Sequence, residues 1–349
     1  MRILFIDRST KLESVDDLQT RARGGMVTSL FKVSDYLSHN GNDVYVISDI
    51  KEGGKTRSGV KWINGTEDFP TDCDFLVCNR GVGSGYSDIK ARHRILWTHD
   101  LPHAGFIPEP KTIKAFSATV FMSRYAERVW RDFYRDIGRS FLIPNGVDKG
   151  IFFPRQKDFN YLIFASAPNR GLSRLPFLFD CIESRIKRPI RMKAFSNLKK
   201  LHPGEVGSED GFSAVYNQIT ESRVELCDPV PQRQLSEELG RAGLMIMPTD
   251  YPEICSNIIL QSLACGTPVV TTGQLGSSCE WIKDGWNGSL TKWTPADYMV
   301  YQVDLIRWAV KILENESLHH RMMNNAAKTK IHTWDQIGDL WNTMLSRLG

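Results

Sequence analysis

A glutamate, an asparagine and a glutamine follow one another where a buried strand should give way to a helix. Residues 244–247 form a short apolar run typical of a buried strand, and Glu253 follows in a proline-broken loop. Ser256 or Asn257 can cap the next helix. Asn257 and Gln261 lie four residues apart and therefore share a helix face. Glu253 precedes Gln261 by eight residues, which is roughly 12 Å at the helical rise.

A sugar nucleotide would fit this arrangement of polar groups. In open α/β sheets, ligands bind beyond the carboxyl ends of the strands, which is where Glu253 would lie. The N–H groups that begin a helix favour an anion such as a diphosphate. Residues 253–261 therefore predict a site that spans such a ligand from its sugar to its ribose. A capping stretch with a solvated helix face explains the same residues equally well.

Length and composition indicate an ordinary globular protein of two domains. The chain has 349 residues, of which 41% are hydrophobic and 24% are charged. Its net charge of +4 and pI of about 8.6 would suit an acidic ligand. This modest excess does not predict nucleic-acid binding, so a nucleic-acid partner is not expected.

Cysteine usage and hydropathy predict a cytoplasmic protein. The seven cysteines are an odd number without a C-x-x-C pair, which suits buried thiols in a reduced compartment. Residues 2–7 are typical of a strand rather than a signal peptide, and no apolar run approaches the length of a membrane span. Peripheral contact with a membrane surface stays open.

The first half of the chain opens like a Rossmann domain. A strand is predicted at residues 2–7, then a polar loop that ends in Gly24 and Gly25, a helix over 26–37 and a strand over 43–48. Two glycines allow the backbone to approach a ligand closely. A plain tight turn is the alternative.

Two polar residues end a later strand of this half. His99 and Asp100 follow a strand predicted over residues 94–98, so they would face the ligand crevice. We interpret His99 as the partner of a sugar hydroxyl or phosphate, with a structural histidine as the alternative. A D-x-D pattern at 72–74 precedes its strand and is not expected to bind metal. The glycine-rich segment 81–85 lacks a third glycine and predicts a flexible loop.

The pattern restarts after residue 150. A strand over 161–166 leads into a loop that carries Asn169 and Arg170. The guanidinium of Arg170 would suit phosphate oxygens because its fork forms two parallel hydrogen bonds, although a surface arginine is the alternative. A rigid loop at 228–231, which includes Val230, follows a strand over 224–227. The fold class is therefore α/β with two Rossmann-like domains.

This organisation resembles the GT-B architecture, in which two such domains have parallel sheets facing a central cleft. The second half resembles the GT4 family of retaining glycosyltransferases. The motifs that carry the resemblance are 248–270 for the E-x7-E region and A-C-G-T-P-V-V, 143–148 for I-P-N-G-V-D, 167–172 for the phosphate loop, 24–25 and 97–100 for the first-domain loops, and 285–288 for the D-G-x-N-G turn.

The resemblance implies domain bounds and an activity. An acceptor-side domain would cover 1–150, a nucleotide-sugar domain 151–332, and a helix over 333–349 would cross back to the first domain. The enzyme would move a sugar from a nucleotide-sugar donor to a glycan, lipid-linked or other hydroxyl acceptor. No cofactor and no metal are expected, since Arg170 and helix amides would replace the metal of D-x-D enzymes.

The resemblance also implies residue roles. Glu253 would bond donor-sugar hydroxyls, His99 would bond the sugar, and Arg170 would neutralise the departing diphosphate. These three are the predicted catalytic residues. Main-chain amides near residues 254–256 would bind the diphosphate. The predicted donor-binding residues are Gly24, Gly25, Asp100, Asn169, Val230, Ile254, Cys255, Ser256, Asn257 and Gln261.

Two departures from the family pattern leave alternatives open. Gln261 stands where the family has a second glutamate, whose carboxylate accepts from both ribose hydroxyls; glutamine can accept and donate. Phe164, Ala165 and Ser166 stand where a further arginine is usual, so Arg170 would work alone. Another GT-B enzyme, such as a sugar-nucleotide epimerase or a phosphorylase, and a non-catalytic nucleotide-sugar-binding protein are the alternative functions.

Overall fold

The computed structural model describes residues 1–80, 88–102, 109–201, 211–273, 275–292 and 298–349, without the side chains of 8–10, 19, 298 and 299. The predicted loop at 81–85 lies outside these residues. The chain divides into two compact units, the first formed by Met1–Gly146 with His332–Gly349 and the second by Val147–Ile331. Each unit is a Rossmann-like α/β domain built on a sheet of mostly parallel strands.

Strands of the described residues form two sheets. They are β1 (Arg2–Ser14), β2 (Asp43–Glu52), β3 (Gly54–Lys55), β4 (Lys61–Asn64), β5 (Asp72–Asn79), β6 (Lys90–Trp97), β7 (Ala118–Phe121), β8 (Ser140–Leu142), β9 (Asp158–Ala165), β10 (Arg191–Phe195), β11 (Glu225–Cys227), β12 (Ala242–Met247), β13 (Val269–Thr272) and β14 (Gly288–Thr291). The first unit has the order β3-β4-β2-β1-β5-β6-β7-β8, and the second has β11-β10-β9-β12-β13-β14. Neighbouring strands are parallel, except that β3 and β4 are antiparallel.

Helices connect the strands. They are α1 (Asp17–Thr20), α2 (Gly25–His39), α3 (Pro110–Lys114), α4 (Arg124–Tyr134), α5 (Leu175–Glu183), α6 (Leu198–Leu201), α7 (Ser213–Thr220), α8 (Gln232–Arg241), α9 (Asn257–Ala264), α10 (Ser278–Trp281), α11 (Tyr298–Glu314), α12 (Glu316–Ala327) and α13 (Trp334–Leu348). In the described part of the chain, none of them combines the length and apolarity that crossing a bilayer requires.

The last helix, α13, packs into the core of the first unit. Its Trp341 is fully buried, with ring centroids 4.8 Å from Trp97 and 6.1 Å from Phe5. Gly338 of α13 lies against the ring of Tyr36 on α2, where an added Cβ would stand 2.1 Å from a ring carbon. The return of the chain therefore completes the hydrophobic core around β1 and β6.

The central strands of both units are apolar because both faces of each strand are covered. For example, the side chains of residues 3–6 in β1 and of residues 244–247 in β12 are at most 1% exposed. This burial is characteristic of parallel sheets with helices on both sides. The strands predicted from these apolar runs are confirmed.

One expectation about secondary structure was wrong, and one strand was missed. The polar loop predicted after residue 7 is instead a continuation of β1 to Ser14, in which Leu12 is buried and pairs with Ile50 of β2 after an irregularity. Helix α10 ends at Trp281, and a turn follows in which Asn287 donates to the Trp281 carbonyl and accepts from the Lys283 N–H. Strand β14 was not predicted.

Candidate functional site

The strand order of the second unit reverses at β9, and open α/β sheets bind ligands at such a position. From β9 the chain builds outward to β10 and β11, then returns to the other side of β9 with β12, β13 and β14. Loops at the carboxyl ends of such a pair of strands diverge and leave room for a ligand. Here these loops are residues 166–174 after β9 and 248–256 after β12.

Two predicted catalytic residues meet where these loops come together. The Nε of Arg170, from the loop after β9, donates to the Oε1 of Glu253, from the loop after β12, at 2.6 Å. Their side chains are 19% and 13% exposed, so the pair is largely removed from water yet still accessible. The guanidinium carbon of Arg170 also lies 3.6 Å from the ring centroid of Tyr251. Stacking and pairing together fix the plane of the guanidinium.

A second arginine, which sequence reasoning missed, joins the same loops. Arg174 is 12% exposed; its Nη1 donates to the Pro248 carbonyl at 2.7 Å and its Nη2 pairs with Asp250 at 2.5 Å. The signal was a second basic residue four positions after Arg170, in the same segment that leads from β9 to α5. Arg170 is therefore not the only arginine of this loop. Both of these contacts join Arg174 to the loop after β12.

Glycines bring the backbone of these loops into close contact. Gly171 has φ +96°, and a Cβ there would stand 2.0 Å from the Pro248 carbonyl oxygen. Gly276, with φ +81°, lies against the backbone of Glu253, where a Cβ would stand 2.4 Å from the carbonyl oxygen. Ser277 N–H donates to that same carbonyl at 2.7 Å. Both ends of the Arg170–Glu253 pair are thus held by backbone that only glycine permits.

The start of α9 carries the predicted diphosphate-binding segment. Ile254, Cys255 and Ser256 are all buried, and Ser256 occupies the N-cap position. Its side chain makes no capping hydrogen bond, so Ser256 occupies the expected cap position without capping the helix through its hydroxyl. Asn257 is the first helical residue and is partly exposed.

Gln261 lies on the next turn of α9 and is 6% exposed. Its Nε2 donates to the Oε1 of Gln232 at 2.8 Å, a contact that was not predicted. Gln232 begins α8, two residues after Val230. The hydrogen bond from Gln261 to Gln232 therefore joins α9 to the end of the predicted loop around Val230. Asn169, by contrast, is exposed beside Arg170 in the turn Pro168–Arg170.

The remaining predicted residues belong to the first unit. Gly24 is the N-cap of α2, and Gly25 is its first residue. Asp100 follows β6; its Oδ2 accepts from the Nε of Arg80 at 2.5 Å, and its carbonyl accepts from the Trp130 indole. Arg80 has φ +70°, an uncommon conformation for a residue other than glycine.

His99 lies two residues beyond the end of β6. It packs against Trp97 with ring centroids 4.7 Å apart, and its buried Nε2 has no hydrogen-bond partner within the described ranges. Burial, together with the positive charge of Arg80, lowers the pKa of His99 to about 3. An uncharged imidazole suits a hydroxyl better than a phosphate. Of the two predicted partners of His99, the sugar hydroxyl is therefore favoured.

Known proteins resemble this chain at two levels. Residues 176–306 match the family model described as "Glycosyl transferases group 1". A sequence search of curated proteins found no match.

Solved structures match over nearly the whole chain. Sucrose-phosphate synthase from Thermosynechococcus elongatus has a TM-score of 0.75 at 13% identity, covering 100% of this chain and 99% of that one. HepE from Anabaena, in complex with UDP and glucose, has a TM-score of 0.72 at 15% identity, covering 99% and 100%. WaaG, a glycosyltransferase involved in lipopolysaccharide biosynthesis, has a TM-score of 0.67 at 14% identity, covering 99% of both chains. At these identities the structural likeness shows the fold.

Proposed function

We propose that this chain, which has the GT-B fold and matches a group 1 glycosyltransferase model over residues 176–306, moves a sugar from a nucleotide-sugar donor to an acceptor hydroxyl with retention of configuration. The observation that carries the proposal is the Arg170–Glu253 pair at the strand-order reversal of the second unit. HepE has been solved in complex with UDP-glucose, which makes UDP-glucose the first donor to test.

The proposed roles of Arg170 and Glu253 follow from the two charges that develop during the reaction. As the bond to the diphosphate breaks, negative charge grows on the leaving group and positive charge on the anomeric carbon. Arg170 would stabilise the leaving diphosphate, with the N–H groups that begin α9 as further donors. Glu253 would hold hydroxyls of the donor sugar, and a hydrogen bond to a hydroxyl stays the predicted role of neutral His99. The guanidinium supplies the positive charge, so transfer should persist in EDTA.

Retention would follow from attack on the face that the diphosphate leaves. Glu253 is bonded to Arg170, and Asp250 is bonded to Arg174, so neither carboxylate is presented as a nucleophile. We therefore propose direct attack by the acceptor hydroxyl, without a covalent intermediate. The acceptor class, whether glycan, lipid-linked or another hydroxyl, and the cytoplasmic location stay predictions.

Glu253→Ala is the decisive variant. Turnover of the donor should fall by about 10²-fold or more, because a preorganised contact to the reacting sugar is lost. Glu237→Ala, an exposed glutamate on α8, is the matched control and should keep wild-type turnover. Nucleotide release and product are followed together, with and without acceptor, which separates transfer from epimerisation or phosphorolysis. Unchanged turnover in Glu253→Ala, or an inverted product, would contradict the proposal.

A further inference from the structure

The positive charge of the chain is concentrated in one segment of the first unit. Residues 111–139 contain seven lysines and arginines against three aspartates and glutamates. The whole chain has 44 Lys and Arg and 40 Asp and Glu, so the rest of the chain carries equal numbers of the two kinds. The segment runs from α3 through α4 and leads into β8 at the edge of the first sheet. A local excess of this kind attracts a negatively charged partner.

The arginines of helix α4 lie on the side away from the core. Their spacing of four and three residues places them on one face of the helix, and they are all exposed. They are Arg124, Arg128 and Arg131. Arg135, also exposed, follows at the end of the helix. Ala126 and Trp130 are buried on the other side of α4, so the arginine face is turned to the solvent.

Neighbouring carboxylates neutralise only part of this charge. Glu127 pairs with Arg131 at 2.9 Å, and Asp136 pairs with Lys114 at 3.3 Å. Three further arginines of the segment form no ion pair with any carboxylate of the described residues. They are Arg128, which lies over the Tyr125 ring, Arg135, and Arg139, which donates to a main-chain carbonyl. Their charge is therefore available to a partner outside the chain.

Two exposed apolar side chains accompany the arginines. Phe133 of α4 is 49% exposed, and Leu142 of β8 is 39% exposed. Ser140 holds β8 beside α4, since it donates to Glu127 and accepts from Arg131, both at 2.7 Å. Cations next to apolar side chains suit the boundary of a lipid bilayer, where headgroups contact the charges and acyl chains contact the apolar groups. A nucleic acid would engage the arginines through its phosphates but would leave the apolar side chains without a role.

We propose that this basic surface, formed by α4 and β8, binds the surface of an anionic lipid bilayer, with its arginines at the headgroups and Phe133 and Leu142 at the boundary with the acyl chains. Each Lys or Arg close to such a bilayer strengthens binding roughly fivefold. The contact is independent of the proposed donor site, because Arg170 and Glu253 belong to the second unit.

Sedimentation of the full chain with lipid vesicles measures the binding. One set of vesicles is phosphatidylcholine alone, and the other is phosphatidylcholine mixed equally with phosphatidylglycerol. The protein should bind the mixed vesicles at least about tenfold more tightly than the neutral ones. This preference should disappear in about 1 M NaCl, where the Debye length is only about 3 Å. Equal binding to both compositions at low salt, or no binding to either, would overturn the assignment.

A double charge variant locates the surface. Arg128→Gln/Arg135→Gln should weaken binding to the mixed vesicles about 20- to 30-fold, at roughly fivefold per residue. Arg128→Lys/Arg135→Lys keeps both charges and should bind like the unaltered protein. Lys187→Gln/Arg321→Gln removes the same charge from exposed positions of the second unit and should also bind like the unaltered protein. An equal loss in the two glutamine variants would assign the attraction to net charge and overturn the assigned surface.

A phenylalanine variant distinguishes a bilayer from other polyanions. Phe133→Ser should weaken binding to the mixed vesicles about five- to tenfold, because an apolar ring no longer leaves water. Phe177→Ser, which alters a 48% exposed phenylalanine on α5 of the second unit, is the matched control and should bind fully. Full binding by Phe133→Ser, or binding of duplex DNA through the same arginines without binding of the mixed vesicles, would overturn the lipid assignment.

Discussion

In the proposed mechanism Arg170 presents its guanidinium to a diphosphate, and three contacts set the orientation of that guanidinium. Its Nε is bonded to Glu253, its plane lies over the Tyr251 ring at 3.6 Å, and the neighbouring Gly171 holds the loop against Pro248. A preorganised cation stabilises developing charge without reorganising during the reaction. The aromatic face should therefore matter for turnover although the ring itself carries no charge.

Tyr251→Leu should lower kcat about five- to tenfold, which corresponds to roughly 1 kcal/mol of lost cation–π stacking. Tyr251→Phe keeps the aromatic face and should keep kcat within about twofold, so it is the matched control. Steady-state kinetics with a saturating donor measure both. Equal losses in the two variants would assign the effect to the tyrosine hydroxyl and contradict the stacking argument.

His99 should make the protein less stable in acid. Its folded pKa of about 3 lies below the ordinary value of 6.5, so between these values the unfolded chain binds more protons. Stability therefore falls as pH is lowered from about 6.5 towards 3, by at most about 1.4 kcal/mol per pH unit from this group. His99→Asn should flatten that slope.

Urea unfolding at several pH values between 4 and 7 measures the slope. His39→Asn, which changes an exposed histidine at the end of α2, should leave the slope as it is in the unaltered protein. An equal slope in His99→Asn and the unaltered protein would show that burial of His99 does not disfavour its protonation.

At the level of elements, the site depends on how closely two loops approach. Gly171→Ala places a Cβ 2.0 Å from the Pro248 carbonyl oxygen and also imposes φ +96° on a residue with a side chain. The loop must shift, which would move Arg170 away from Glu253. Strain of this kind costs on the order of 1–3 kcal/mol, and the collision adds to it. The Tm and the turnover should both fall.

Gly285→Ala separates strain from collision. Gly285 has φ +73° in the same unit, but nothing lies within 4 Å of an added Cβ. This variant should lose about 1 kcal/mol of stability and retain turnover. If Gly171→Ala behaved in the same way, the close approach to Pro248 would not be what positions Arg170.

Most of the strands, and the positions of two site residues at strand ends, could be predicted from the sequence. Buried parallel strands are continuous apolar runs, so β1 and β12 could be predicted, as could the placement of Arg170 and Glu253 at strand ends. The short β14 could not, because Gly288 serves close packing, with a Cβ site 2.3 Å from the Val269 carbonyl oxygen, and has little intrinsic strand preference.

The contacts within the site could not be predicted because they join distant parts of the chain. Arg170 and Glu253 are 83 residues apart, and Gln261 and Gln232 are 29 apart. Neither pair leaves a periodic pattern. Gln232 in particular looks like any polar residue at the start of a helix. Such pairs become visible only when the strand order brings their loops together.

For the whole molecule, the chain leaves the first unit once and returns to it with α13. The helix contributes Trp334, Ile337, Trp341, Met344 and Leu345 to the core of that unit. Because each unit has its own core, a defect in one should lower the stability of that unit first. A truncation before α13 would remove part of the first unit although the second unit is nearer in sequence.

Trp341→Ala should therefore act selectively. It removes a fully buried indole in contact with Trp97 and Phe5, at a cost of about 3–5 kcal/mol to the first unit. Hydrogen exchange followed by mass spectrometry should show lost protection in β1, β5 and β6, with unchanged protection in β9 and β12. Leu340→Ala, which alters a partly exposed position beside it on α13, should have little effect on either set of strands. Equal loss of protection in both units would mean that the two cores unfold together rather than independently.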